Sequence, residues 1–123
     1  MTRRLVVKAT CGDDDDAAKE RLNQAVTVAA AAAAAGADVS LWLTSDATYL
    51  ATPGWAEAFE LDLATPMADL LATVLGSGRV TVCSQCAARR GLTEADLVPG
   101  ARIAGAAVFA EEVLGDGVQA LVY

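Results

Sequence analysis

Histidine is absent from this chain, which removes the commonest general base at neutral pH and the commonest metal ligand. Glycine-rich phosphate loops are missing too. Gly12 is followed by Asp13-Asp14-Asp15-Asp16 and belongs to neither G-x-x-x-x-G-K-[ST] nor G-x-G-x-x-G; four carboxylates there would repel a phosphate rather than receive it. FMN and nucleotides are therefore disfavoured, and no cofactor is expected. Positive charge is scarce: nine lysines and arginines face sixteen aspartates and glutamates, a formal net charge of −7. That balance argues against nucleic acid or an anionic membrane surface as a partner.

Long apolar runs are missing as well. The longest uncharged stretch, 22–37, is mostly alanine and contains Asn23, Gln24 and Thr27, too short and too polar to span a bilayer. Behind Arg3 and Arg4 only Leu5-Val6-Val7 precede Lys8, far short of the apolar region of an export signal. The expected location is the cytoplasm, where three cysteines are free, catalytic or metal-bound rather than a disulfide framework.

What is present is a regular alternation of strand and helix patterns within one domain, 1–123. Segment 5–9 reads as a buried strand ending at Thr10-Cys11-Gly12. The four aspartates then suit the first turn of a helix over 17–35, where negative charge complements the helix dipole, and Gly36 stands where the helix stops. Segment 39–43 is a second strand and 47–52 a short helix closed by Pro53-Gly54. The irregular segment 55–65 carries Trp55 and Phe59, which either pack down onto the core or meet another subunit. Thr65-Pro66 opens a helix with Leu70, Leu71, Val74 and Leu75 on its apolar side. Segment 79–82 is a third strand, 84–90 a short helix closed by Gly91, 101–104 a fourth strand, 105–114 a helix and 118–123 a fifth strand.

This spacing predicts an α/β fold: a flavodoxin-like three-layer sandwich with a five-stranded parallel sheet, covered on both faces, in the order 2-1-3-4-5. In that order strands one and three are neighbours. The turn bearing Cys11 and Gly12 and the loop bearing Cys83, Ser84, Gln85 and Cys86 then open together at the topological switch point, where ligands bind in such sheets.

The chemistry is expected in Val80-Thr-Val-Cys-Ser-Gln-Cys-Ala-Ala-Arg-Arg-Gly91. A cysteine where a strand ends and a helix begins gains thiolate character from free backbone N–H groups and from nearby guanidinium charge. Cys83, Cys86, Arg89 and Arg90 fit that description, with Arg89 or Arg90 steadying the thiolate against the opposing aspartates. Cys11, Gly12, Ser84 and Gln85 are the expected binding residues. The plainer alternative is a pair of small buried side chains with solvated arginines. Zinc would need a fourth ligand beside three sulfurs, so no metal site is expected. A dithiol redox pair is the closer rival, although the C-x-x-C here follows the third strand, lacks a proline between its cysteines and has no tryptophan before it.

The strand and Gly-Asp-Asp turn at 5–14, the long helix ending at Gly36-Ala-Asp-Val, the Cys83 segment running on into Arg-Arg-Gly-Leu, and the closing strand together resemble the DsrE/DsrF-like (TusD-related) sulfur-relay family. The resemblance implies a small α/β domain that forms dimers, trimers or hexamers and, in some members, carries sulfur on a cysteine after the third strand. Cys83 matches that carrier, which makes it the implied nucleophile, and Cys86 matches a second cysteine found in some branches, implied as a helper or resolving thiol. The function so implied is a sulfur carrier or sulfurtransferase-like protein working with donor and acceptor proteins. Its alternatives are an oligomeric small-ligand-binding or regulatory module of the same fold and a dithiol redox protein.

Overall fold

The computed structural model describes residues 2–123. Five strands, β1 (Arg4–Ala9), β2 (Asp38–Leu43), β3 (Arg79–Cys83), β4 (Ala101–Ala104) and β5 (Val118–Val122), alternate with helices α1 (Asp16–Ala34), α2 (Trp55–Ala58), α3 (Met67–Ser77), α4 (Ser84–Arg89) and α5 (Ala106–Val113). Two 3₁₀ segments, Ser45–Ala51 and Glu94–Asp96, fill the loops after β2 and α4. All strand pairs are parallel.

Local chemistry explains most boundaries. Asp15 is the N-cap of α1, its carboxylate accepting from the Ala18 N–H at 2.8 Å, and Asp16 lies in the first turn; a free donor is satisfied and the dipole is matched. The acidic run is thus the opening of a helix. Pro66 rather than Thr65 caps α3, which begins at Met67. Between α3 and β3 the chain passes so close to β2 that a Cβ on Gly78 would lie 2.6 Å from the Val39 carbonyl oxygen, so only glycine fits there. Trp55 and Phe59 stack on each other, ring centroids 5.6 Å apart, and pack against the core.

The strand order is β4-β3-β2-β1-β5, not 2-1-3-4-5. The chain steps the same way from β1 to β4, and α5 then carries it back to the far side of β1. Strand β2 therefore separates β1 from β3, and the order reverses at β1, between β2 and β5. The cause is visible in the strands. In Asp38–Leu43, Arg79–Cys83 and Ala101–Ala104 polar and apolar residues alternate, so the sheet has one apolar face and one polar face. Right-handed crossovers taken in one direction put their helices on one side. Helices α1 and α3 accordingly share the apolar face, over a core that includes Val7, Leu41, Val80, Val82, Leu22, Val26 and Val74. The alanines at 25, 29, 30 and 33 of α1 are buried there.

The polar face is covered by α5 alone, held by one carboxylate. Glu112 accepts from Ser40 Oγ at 2.6 Å, from Trp42 Nε1 at 3.1 Å and from Arg102 at 2.7 Å, and Arg102 Nε donates to Thr81 Oγ1 at 2.8 Å. One side chain of α5 thus reaches β2 and β4 directly and β3 through Arg102. Trp42 completes the seat, edge-on to Phe109 with ring centroids 5.2 Å apart. Burial raises the Glu112 pKa, but the hydrogen bonds from Ser40, Trp42 and Arg102 together with the Arg102 charge outweigh it, leaving the carboxyl below its usual range.

A folded-state pKa below the unfolded value stabilises the fold above the unfolded pKa, and that contribution is lost as pH falls through the folded value. Glu112→Ala should cost about 2–3 kcal/mol at neutral pH, because it leaves three donors without their acceptor. In urea denaturation the gap between wild type and E112A should be full near neutrality and narrow progressively below about pH 4; a gap independent of pH would contradict the clamp.

Candidate functional site

Residue 83 ends β3 and forms the N-cap of α4. Because β3 stops here and a helix begins, the N–H groups of Gln85 and Cys86 have no helical partner and, as donors near the Cys83 sulfur, favour its thiolate. The Cys86 thiol acts in the same direction, and the Lys8 ammonium adds positive charge. Burial of this half-buried thiol is the largest single influence and favours the neutral form. The hydrogen bonds and Lys8 together exceed it, so the Cys83 pKa falls below that of an ordinary thiol.

The two cysteines are not equivalent. Cys86 is 8% exposed, and its sulfur accepts the Ser45 N–H at 3.2 Å. Ser45 makes that bond from a left-handed conformation, φ 49°, which costs a non-glycine residue on the order of 1 kcal/mol or more. Cys83 is open to a partner from solution, whereas the thiol best placed to reach Cys86 is that of Cys83.

The arginines are not beside the thiol. Arg90 forms an ion pair with Asp46 at 2.8 Å, donates to the Cys86 carbonyl at 3.1 Å and lies over the Tyr49 ring. Its hydrogen bond holds the Asp46 carboxyl below its usual range, while Asp46 in turn raises that of Asp14. Arg90 therefore ties α4 to the 3₁₀ segment Ser45–Ala51. Exposed Arg89 reaches Gln85 at 3.5 Å. The cation that acts on Cys83 is Lys8 of β1, which sequence reasoning missed. Its signal was the lone charge inside the apolar run Leu5-Val6-Val7-Lys8-Ala9, at a strand position bound to face the sheet's polar side.

With β2 between β1 and β3, Cys11 and Cys83 share the carboxyl edge of the sheet but are separated by two strand spacings, roughly 9–10 Å. The switch point lies instead at β1 and β5, beside Cys11, where Thr10 Oγ1 donates to the Tyr123 carbonyl at 2.7 Å. Half-buried Cys11 has its sulfur 3.9 Å from Thr10 Oγ1. Gly12 is buried against Asp46; a Cβ there would sit 2.8 Å from the Asp46 Cβ. Ser84 Oγ lies against Gly105, 3.2 Å from where a Cβ would stand. Among the described residues no group of three or more cysteines and carboxylates is arranged to hold a metal, and the three cysteines are not gathered into one ligand set. Among the described residues no helix is long and apolar enough to cross a membrane.

A small cavity of about 60 Å³ opens beside Cys83, lined by Lys8, Trp42, Thr44, Ala106 and Phe109. It lies under α5 on the polar face of the sheet. A much larger open groove, about 820 Å³, runs past Arg3, Arg4, Ala32, Gly36 and Gln119 at the opposite, amino edge, away from every cysteine.

The fold and this edge define a class: small, all-parallel α/β proteins with a cysteine at the carboxyl end of the third strand. Within it, the chain belongs to the DsrE/DsrF-like family, whose model matches residues 11–121. Two solved structures share the fold. The ychN protein from E. coli has a TM-score of 0.73 and 18% identity, covering 99% of this chain and all of its own. MTH1491 of Methanobacterium thermoautotrophicum, a protein of unknown function, has a TM-score of 0.72 and 13% identity, covering 98% of this chain and 99% of its own. No curated protein matches the sequence.

Iodoacetamide should modify Cys83 well before Cys86 in the native protein, with a pH midpoint below the roughly 8.5 of a free thiol. Peptide mapping across a pH series checks both points, and equal rates for the two cysteines would contradict the assignment. Gly12→Ala should destabilise the fold by about 1–3 kcal/mol through the clash with Asp46, read as a lowered melting temperature.

Proposed function

We propose that the protein is a sulfur carrier or sulfurtransferase-like protein in which Cys83 holds sulfane sulfur as a persulfide. The observation that carries this reading is the pairing of an accessible, low-pKa thiol at Cys83 with a second, sheltered thiol three residues on. The Cys83 thiolate attacks the outer sulfur of a donor R–S–SH. A new S–S bond forms on Cys83, the donor's S–S bond breaks, and its electron pair leaves on R–S⁻, giving Cys83–S–SH. An acceptor thiolate attacks the same outer sulfur in the next step, and Cys83 leaves as the thiolate. No external oxidant or reductant is required.

The position of Cys86 favours one second reading, dithiol redox chemistry. If the Cys86 thiolate attacks the inner sulfur of Cys83–S–SH, a Cys83–Cys86 disulfide forms and HS⁻ departs. That outcome makes the protein a persulfide reductase rather than a relay. Cys86 is buried against the Ser45 N–H, so a thiol from solution reaches it less readily than the sulfur on Cys83, three residues before it.

Donor and acceptor proteins, a cytoplasmic location and a homo-oligomeric state belong to this reading. Support for assembly comes from β5, an edge strand whose Val122 is 65% exposed, together with Leu114 at 81%; apolar edges of this kind are usually covered.

Incubation with a cysteine desulfurase and cysteine, followed by intact-mass and peptide analysis, tests the proposal. Wild type should gain one sulfur atom on Cys83, and Cys83→Ser none. If Cys86 resolves the persulfide, Cys86→Ser should retain the sulfur longer, and wild type should accumulate the disulfide and release sulfide. Absence of added sulfur under several donors would favour a ligand-binding module. A monomer in sizing chromatography at micromolar concentration would count against assembly.

A further inference from the structure

Lys8 is a half-buried cation with no carboxylate within ion-pair distance among the described residues, in a chain whose formal net charge is −7. Arg4, Arg79, Arg90 and Arg102 each have an acidic partner. Lys8 instead lies with its Nζ 5.2 Å from the centroid of the Phe109 ring and lines the cavity beside Cys83. The sheet register explains the encounter. Lys8 pairs with Trp42, and Trp42 with Thr81; Cys83 follows Thr81 by two residues, so all four point to the same face. Lys8 and Trp42 are neighbours across β1 and β2, and the lysine reaches Phe109 of α5. Partial desolvation of an ammonium is costly unless an aromatic face or an anion compensates it, and the cavity offers space for an anion.

We propose that this cavity is the seat of the outer sulfur atom of a Cys83 persulfide, with the Lys8 ammonium as its counter-ion. The proposal rests on the sulfur-carrier reading above and specifies the form of its cargo. About 60 Å³ is roughly two water molecules' share of liquid volume. That is room for one added sulfur, which a donor or acceptor thiolate reaches from the open mouth of the cavity. Once Cys83–S–SH has formed, its outer S–H releases a proton to solvent, and the Cys83–S–S⁻ anion pairs with Lys8. Phe109 and Trp42 shield the pair from part of the surrounding water, which strengthens it. Phe109 and Ala106 hold this position because Glu112 clamps their helix to the sheet. The seat therefore selects small anionic sulfur over bulky thiols.

The test compares wild type with Lys8→Met, which keeps the stem and removes the charge, and Lys8→Arg, which restores it. Each protein is loaded with a desulfurase and cysteine, freed of donor, and followed by mass spectrometry for sulfur retained on Cys83. The expected result is a persulfide lifetime about fivefold shorter in K8M, the scale of one cation–anion contact in a partly desolvated site, and lifetimes near wild type in K8R. Circular dichroism checks folding, and Lys8→Gln replaces K8M if the latter misfolds. A wild-type lifetime in the neutral variant, or a K8R lifetime as short as that of K8M, would overturn the role of Lys8. Failure of wild type itself to take up sulfur would instead overturn the carrier reading, so the two failures are distinct.

Discussion

The hydrogen-bonded carboxylate of Glu112 is the contact on which the functional side of the molecule depends. The apolar face of the sheet is secured by area, two helices laid over a continuous valine, leucine and alanine surface. The polar face has no such surface, and α5 is its only helical cover. A helix of eight residues with a limited apolar stripe would dock weakly by burial alone. Glu112 supplies direction instead, gathering Ser40, Trp42 and Arg102 from β2 and β4. Once it is fixed, Phe109 meets Trp42 and Lys8, and the small cavity beside Cys83 acquires its roof.

The same economy governs the thiol. A sulfur at a strand–helix junction is partly removed from water, which by itself would keep it protonated. The structure offsets this with groups that cost little to hold in place: two backbone N–H groups that the start of any helix leaves free, a neighbouring thiol, and a lysine whose stem lies along the sheet. Cys86 is treated differently. It is buried and given the Ser45 N–H from a strained turn, and Arg90 fastens the short helix that carries it to Asp46. One cysteine faces the solution and its neighbour is held in reserve, an asymmetry that suits a donor-facing sulfur and an internal thiol.

Much of this was readable along the chain, though not all of it. Most strand and helix segments fell within a residue or two of the expected positions, because periodicity, Gly36 and the acidic first turn act over a few residues; the helical turn Trp55–Ala58 lies in a segment read as irregular, and Ser45–Ala51 is a 3₁₀ segment rather than a helix from 47. The order of the strands was misjudged. The alternation in Asp-Val-Ser-Leu-Trp-Leu and Arg-Val-Thr-Val-Cys already implied one polar face, and hence crossovers running in a single direction, which places β2 between Cys11 and Cys83. Arg89 and Arg90 are near Cys83 in sequence, but Arg90 has a carboxylate to satisfy and Arg89 points to solvent.

The sequence by itself determined the α/β alternation, the acidic character, the family resemblance and the placing of a C-x-x-C pair where a strand gives way to a helix. The first and last of these follow from residues within one or two turns of each other; the charge and the resemblance are read from segments spread along the whole chain. The tertiary structure alone decided which charge meets the thiol, which arginine is already engaged and what closes the cavity. Those contacts join Ser40 to Glu112 across 72 positions and Arg90 to Asp46 across 44. Such partners are chosen by the direction of the crossovers and the register of the sheet, and no local pattern encodes either.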